Sequence, residues 1–162
     1  MNCSNCAAPL EYRSEINGFE CRFCGSLQFT GSLEDGPDGI VPLGAATDYN
    51  CPRGCGTLSC GSIDEIKIVY CEECRGIGCD RAAFAHLVQS RRAAWSGGDT
   101  IPSPIDRDSL SERRPCPRCA LTMEVHPYHG PGNAVIDSCG RCDLVWLDSG
   151  EVSAIERAPG RR

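Results

Sequence analysis

Of the 14 cysteines in this 162-residue sequence, twelve fall in pairs, and each pair is half of a metal site. Five pairs have two residues between the thiols: Cys3/Cys6, Cys21/Cys24, Cys71/Cys74, Cys116/Cys119 and Cys139/Cys142. That spacing aims both sulfurs at one ion across a tight turn, and Zn2+ takes four such thiolates as a tetrahedron. Between the two pairs of the first cluster lie 14 residues and between those of the third 19, near the interval that closes a four-cysteine ribbon. Two sites follow. Cys3, Cys6, Cys21 and Cys24 hold one Zn2+, and Cys116, Cys119, Cys139 and Cys142 hold another. Iron uses the same thiolates, so spacing alone does not separate the two metals.

The middle cluster departs from the rule. It opens with Cys51-Pro52-Arg53-Gly54-Cys55, one residue wider, and adds two unpaired cysteines, Cys60 and Cys79. Six thiols therefore compete for four positions. Our reading is a third Zn2+ on Cys51, Cys55, Cys71 and Cys74, with Gly54 absorbing the extra residue; the rival reading puts Cys60 in place of Cys55. Cysteines left outside the site behave as small buried hydrophobes, or join in a disulfide or a second metal. His126 and His129, in the stretch HPYHG, are read as part of a turn rather than as a further metal site.

Short elements must hold these thiols. Gly25, Gly56, Ala7 and Ala120 are small residues directly after the second cysteine of a pair, where the backbone turns sharply toward sulfur and a large side chain would crowd. Between the pairs the chain alternates as strands do, with Ile66, Ile68 and Tyr70 on one face and Leu121, Met123 and Val125 on another. Asp148-Ser149-Gly150-Glu151 has the spacing of a capping box and should start a helix. Asp80 should open a longer one, in which Phe84, Leu87, Val88 and Arg91 recur at helical spacing before Gly97-Gly98 stops it.

The second and third clusters are repeats. Cys71 falls on Cys139, Cys74 on Cys142, Ile77 on Val145, Asp80 on Asp148 and Phe84 on Val152, without a gap. The fold class expected is therefore small metal-stabilised β-rich (α+β) modules: three zinc ribbons, β-hairpins with zinc knuckles, the second and third each followed by a helix. Their expected bounds are 1–30 for the first ribbon, 49–95 for the second with its helix and 115–158 for the third with a short helix. Residues 31–48 and 96–114, rich in Gly, Pro, Ser and charge, read as linkers, and 159–162 as a basic tail. Each module is below the size that folds alone without metal or cross-link.

Composition bounds the rest. Two Trp, four Tyr and four Phe are few anchors for one large apolar core. The formal charge is −6, from 16 basic and 22 acidic residues. Three Zn2+ ions on four thiolates each would add −2 apiece and bring the chain near −12. Such a balance disfavours a polyanionic partner, because nucleic-acid affinity comes from Lys and Arg releasing counterions. The start Met1-Asn2-Cys3-Ser4-Asn5-Cys6 has neither a basic flank nor an apolar run, so no secretory signal is expected, and no stretch is apolar enough to cross a bilayer. A cytoplasmic setting is expected, where thiols stay reduced and a regular cysteine pattern reads as metal before disulfide.

Cys116-Pro117-Arg118-Cys119, followed by Val135-Ile136-Asp137-Ser138-Cys139-Gly140-Arg141-Cys142 and Val145-Trp146-Leu147-Asp148-Ser149-Gly150-Glu151, closely resembles the transcription-factor-IIB-type zinc-finger family of small bacterial proteins. The resemblance implies zinc on Cys116, Cys119, Cys139 and Cys142. The second module looks like a diverged copy: it keeps Cys71, Cys74, Gly76, Ile77, Asp80 and Phe84 but carries Gly78 and Cys79 where the family has Trp and Leu. The first resembles the broader zinc-ribbon group, on Cys3-Ser4-Asn5-Cys6-Ala7-Ala8-Pro9-Leu10 and Cys21-Arg22-Phe23-Cys24-Gly25. Kinship of fold does not carry function.

The function expected is that of a non-enzymatic adaptor presenting its ribbons to a protein partner. Trp146 is then either an interface anchor or a side chain packed across its own zinc site. The alternative is a nucleic-acid-binding or transcription-associated protein, using Arg91-Arg92, Arg113-Arg114, Arg118 and the tail from Arg157 to Arg162. Those basic runs are short and lack interleaved aromatics that would stack bases. Catalysis is not expected, since a closed four-thiolate site lacks the open position of catalytic zinc and no phosphate loop or nucleophile with a base accompanies it. A redox or metal sensor would rest on Cys60 and Cys79.

Overall fold

A computed structural model describes residues 2–3, 5–14, 18–29 and 37–161 of the chain. It is β-rich with two helices, as the repeats and alternation demand. The first ribbon is a three-stranded antiparallel sheet of β1 (Glu11–Arg13), β2 (Gly18–Glu20) and β3 (Leu27–Phe29), in that order. The remaining strands are β4 (Val41–Asn50), β5 (Thr57–Ile63), β6 (Ile66–Tyr70), β7 (Ile77–Asp80), β8 (Glu124–Pro127), β9 (Val135–Cys139) and β10 (Leu144–Leu147). They form one antiparallel sheet in the order β4-β5-β6-β7-β10-β9-β8. The second and third ribbons are therefore not beads on a tether; they share a sheet.

Where they join, β7 runs antiparallel to β10, with Ile77 opposite Leu147, Gly78 opposite Trp146, Cys79 opposite Val145 and Asp80 opposite Leu144. In the repeat, Gly78 is the counterpart of Trp146. Equivalent residues thus face each other, and a pseudo-twofold axis passes between them. The helices follow the axis. α1 (Arg81–Ala94) leaves the second ribbon and reaches across to the third, where Phe84 meets Tyr128 edge to face at 5.3 Å. α2 (Glu151–Arg157) leaves the third ribbon and packs against α1.

The pleat then sorts the side chains into two layers. On the helical face Ile63, Ile68, Tyr70, Ile77, Leu87, Val145, Leu147, Val152 and Ile155 form one buried cluster drawn from both ribbons. Full burial of each such aliphatic chain contributes about 1.5–3 kcal/mol. On the other face Leu58, Met123, Leu144 and Trp146 pack among cysteines of both clusters. Scarce aromatics suggested no large core, but branched aliphatics of two ribbons supply one jointly. Ile66, Ile68 and Tyr70 do share a face; Leu121 instead lies outside the strand and is half exposed.

The segment expected as a linker at 31–48 is strand from Val41 onward, with its residues 31–36 outside the described set. Ile40 is fully buried, Val41 pairs with Ser62 and Asn50 with Thr57. Its turn-like composition fits an edge strand: Pro42 needs no inward donor there, and Gly44 at φ +72° sits where the register shifts. The second expected linker, 96–114, has no strand pairing but returns along the third ribbon. Thr100 donates its N–H to the Arg157 carbonyl at 2.8 Å, and the Asn133 side chain donates to the Ser103 carbonyl at 3.0 Å.

Helix ends also differ from expectation. The capping box forms by half: the Glu151 carboxylate accepts the N–H of Asp148 at 2.7 Å and of Val135 at 2.9 Å, but Asp148 turns its own carboxylate away to Arg114 and Arg53. Asp38 takes its place, accepting the Gly150 N–H at 2.6 Å and the Ser153 hydroxyl. Asp80 likewise makes no side-chain cap on α1. Arg92, rather than Arg91, is the buried arginine of that helix, donating to the carbonyls of Ile155 at 2.6 Å and Ala158 at 3.0 Å at the negative end of α2. Among the described residues no helix is long and apolar enough to cross a membrane. Arg162 of the basic tail lies outside the described residues.

Candidate metal centres

Twelve sulfurs come together as three groups of four: Cys3, Cys6, Cys21 and Cys24; Cys51, Cys55, Cys71 and Cys74; Cys116, Cys119, Cys139 and Cys142. Within each group the ligand atoms lie within 4.8 Å of one another. Among the pairs, Cys6 lies 3.4 Å from Cys21, Cys3 3.5 Å from Cys24, and Cys51 to Cys74 and Cys119 to Cys139 are each 3.6 Å apart. A tetrahedron with metal–sulfur bonds of about 2.3 Å has edges of about 3.8 Å, so the spacing fits one ion per group with no room for a cluster.

The backbone explains how the sulfurs converge. In five knuckles the first cysteine's N–H bonds to the carbonyl five residues on: Cys3 to Ala8, Cys21 to Ser26, Cys51 to Gly56, Cys71 to Gly76 and Cys116 to Leu121, at 2.7–2.9 Å. Cys139 meets Leu144 in the same relation as a strand pair. A left-handed residue follows the second cysteine at Ala7, Gly25, Arg75, Ala120 and Asp143, with φ between +51° and +73°. Smallness is therefore not the requirement, since Arg75 and Asp143 meet it as well as glycine does.

This loop also accounts for the irregular knuckle. Cys51 to Gly56 spans the same five residues as elsewhere, so nothing is inserted; the second cysteine is displaced by one position within the loop. Gly54 takes the positive φ, +80°, one residue early and donates its N–H to the Cys51 carbonyl at 2.9 Å.

Cys60 and Cys79 join no group of metal-ligating side chains among the described residues. Cys60 pairs with Val69 and Val69 with Gly78, so Cys60 lies on the metal face, whereas Cys79, one residue on, lies on the helical face. The sheet separates them, which excludes a disulfide or shared ion between the two. Burial pushes the Cys79 thiol up to about 12 and keeps it protonated. His126 lies in β8, its Nε2 3.1 Å from the Ser138 hydroxyl, and stacks on His129 at 6.0 Å.

Trp146 is wholly buried between the second and third centres, packed with Cys51, Cys71, Cys116 and Cys139. It anchors an interface inside the chain. A methyl group on Gly76 would lie 2.4 Å from its ring, and one on Gly78 3.2 Å. On the axis there is space for one indole, and Gly78 opposite Trp146 leaves it free.

Charges repeat the exchange. Arg53, in the second ribbon's first knuckle, pairs with Asp148 of the third at 3.1 Å; Arg118, in the third's first knuckle, pairs with Asp80 of the second at 2.7 Å. Sequence reading missed these pairs, although each arginine follows a Cys-Pro and each aspartate holds the same place in the repeat. Beneath them Arg114 is buried, bonding Asp148 at 2.9 Å, Asp137 at 3.3 Å and Glu112. Burial raises the Asp137 carboxyl to about 6 against the pull of Arg114. At the sulfurs, the Ser26 hydroxyl and N–H lower Cys24 to about 6, and the Leu121 N–H lowers Cys119 to about 7.

Closed sets of four thiols on knuckle loops and hairpins define the class: zinc-ribbon-like modules with three sites able to hold metal ions. Compared with family models, curated proteins and solved structures, the chain found no match.

Proposed function

We propose that this chain is a structural-zinc protein of transcription-factor-IIB-type kinship that works in the cytoplasm as a non-enzymatic adaptor for a protein partner. The observation that carries the reading is the donor geometry, four mutually close sulfurs at each of three sites, which leaves no coordination position for substrate. Thiolate donors suit zinc, and the Cys-Pro-Arg-Cys and Trp146-Leu147-Asp148 motifs support the family kinship. Zinc there stiffens hairpins and performs no chemistry on a ligand. Binding of nucleic acid is the weaker reading, because the arginines it would use ahead of the C-terminal tail serve the fold. Arg91 pairs with Asp64 at 3.0 Å, Arg92 holds α2, Arg113 bonds the Leu110 carbonyl at 2.9 Å, and Arg114 and Arg118 are paired as above.

Affinity purification of the metal-loaded chain tests this directly. One defined protein retained at moderate salt is the expected result. Retention of nucleic acid that falls steeply with salt would replace the adaptor reading with the alternative.

A further inference from the structure

The pseudo-twofold axis makes each half of the sheet a reference for the other, and one segment has no mate. On the second ribbon's side, residues 38–41 bridge α2 and β5. Asp38 holds the first turn of α2 through Gly150 and Ser153, Val41 pairs with Ser62, and Ile40 between them is buried in the helical-face core. The repeat carries Ser153 onto Ala85 and Ile68 onto Ile136. Their cross-strand partners correspond in turn, Gly61 to His126, and the next residue but one, Ile63, to Tyr128. Ala85, His126, Tyr128 and Ile136 surround a cavity of about 250 Å³ beside the start of α1. The place that Ile40 fills in one half is open in the other.

Its apolar lining matches that of its filled mate, while Ala85 lacks the hydroxyl by which Ser153 holds Asp38. Phe84 and Val145 extend the apolar lining, and Ser138 stands where the other half has the ring of Tyr70, which leaves volume free. α1 starts there with no acidic residue in its first turn, and its N-cap Asp80 turns its carboxylate to Arg118 at 2.7 Å, so Asp80 does not hold the first N–H groups of α1 as Asp38 holds those of α2. At the rim stand Arg81, paired with Asp143 at 3.3 Å, and His126, whose ring nitrogens meet the Pro127 carbonyl and the Ser138 hydroxyl. The chain's own 96–114 segment bonds Arg157 and Asn133 and packs its turn at Ser109–Ser111 beside β8, but none of its residues lines the cavity.

We propose that this cavity docks an extended segment of a partner protein carrying an acidic residue and, two positions later, a branched aliphatic residue, seated as Asp38 and Ile40 are in the other half. The proposal deepens the adaptor reading and rests on it for its biological meaning. The probe is available from the sequence: a blocked peptide of residues 36–42, titrated into the metal-loaded full chain and followed by NMR of the backbone amides. Saturable shifts are expected at Arg81, Ala85 and Tyr128. Changing Asp to Asn or Ile to Ser in the peptide should weaken binding about tenfold. Ala85→Trp, filling the cavity from an exposed position, and Ala85→Glu, placing a like charge at the helix start, should each abolish it.

Absence of saturable shifts at millimolar peptide would overturn the proposal. So would shifts confined to Ser153 and Ile63, which would mean exchange with the chain's own segment, or the same shifts appearing without peptide as protein concentration rises, which would mean a second copy. Peptide binding with no partner in the affinity purification would fault the adaptor reading and leave the site standing. A captured partner held equally by Ala85→Glu would do the reverse.

Discussion

Gly76→Ala is a severe change for its size at the join of the two ribbons. The added methyl would sit 2.4 Å from Trp146 Cζ2 and 2.9 Å from Cε2, where ordinary contact begins at 3.4 Å. The overlap is about 1 Å, and the ring cannot swing aside because it is wholly buried between two metal centres. Relief requires sliding β10 against β7, the pair on which the two ribbons join. Overpacking of this kind costs about 1–3 kcal/mol, and a rigid indole puts this site at the upper end. With a urea slope of about 2 kcal/mol per molar, the midpoint should fall by about 1.5 M. The assay is urea unfolding of the metal-saturated protein, followed by far-ultraviolet circular dichroism. Gly→Ala at a compatible site stabilises by about 0.4–1 kcal/mol, so even the sign is diagnostic. In a Trp146→Leu background the same substitution should cost under about 0.5 kcal/mol, because the atoms it strikes are gone. A neutral Gly76→Ala, or a cost unchanged by Trp146→Leu, would refute the packing argument.

Further expectations follow from the polar contacts. Arg114→Met should cost about 3–5 kcal/mol in thermal denaturation, since it strands the buried Asp137, whose Oδ1 already lacks a partner. Arg53→Ala, which removes a partly exposed pair, should cost less than about 1 kcal/mol in the same assay. Asp38→Asn keeps the shape but removes the charge facing α2, and should cost about 1 kcal/mol and speed hydrogen exchange of the Ser153 and Ala154 amides. Burial raises the Glu151 carboxyl from 4.5 to about 7. The folded chain therefore keeps a proton that the unfolded chain has lost between those values, and the stability it contributes declines as pH rises through that window. Metal-saturated wild type should lose stability from pH 5.5 to 7.5 relative to Glu151→Gln; parallel curves would contradict the assignment.

Local chemistry was legible in the sequence and distant pairing was not. The cysteine pairs, the repeat and the helix after Asp80 are fixed by neighbours a few residues away, and the structure brings the expected twelve sulfurs together. Asp38 and the strand at 41–50 were hidden because their partners, Gly150, Ser153 and β5, are set by tertiary packing, and a Gly- and Pro-bearing edge strand has the composition of a linker. Asp80 and Asp148 read as caps because local spacing suits caps; the knuckle arginines of the opposite ribbon pair with them instead. One signal was present and unused. A repeat that exchanges Trp146 for Gly78 at equivalent positions is what two copies facing across an axis require.

The claim on which everything else depends is that metal on cysteine closes each hairpin and thereby makes the shared sheet. It is tested most directly by native mass spectrometry of the reduced full chain during stepwise chelation, read beside its amide NMR spectrum. Three ions per chain are expected at the outset, with the dispersed signals of β5, β6, β9 and β10 vanishing as the second and third centres empty and returning when metal is restored. A metal-free chain with those signals unchanged would contradict it.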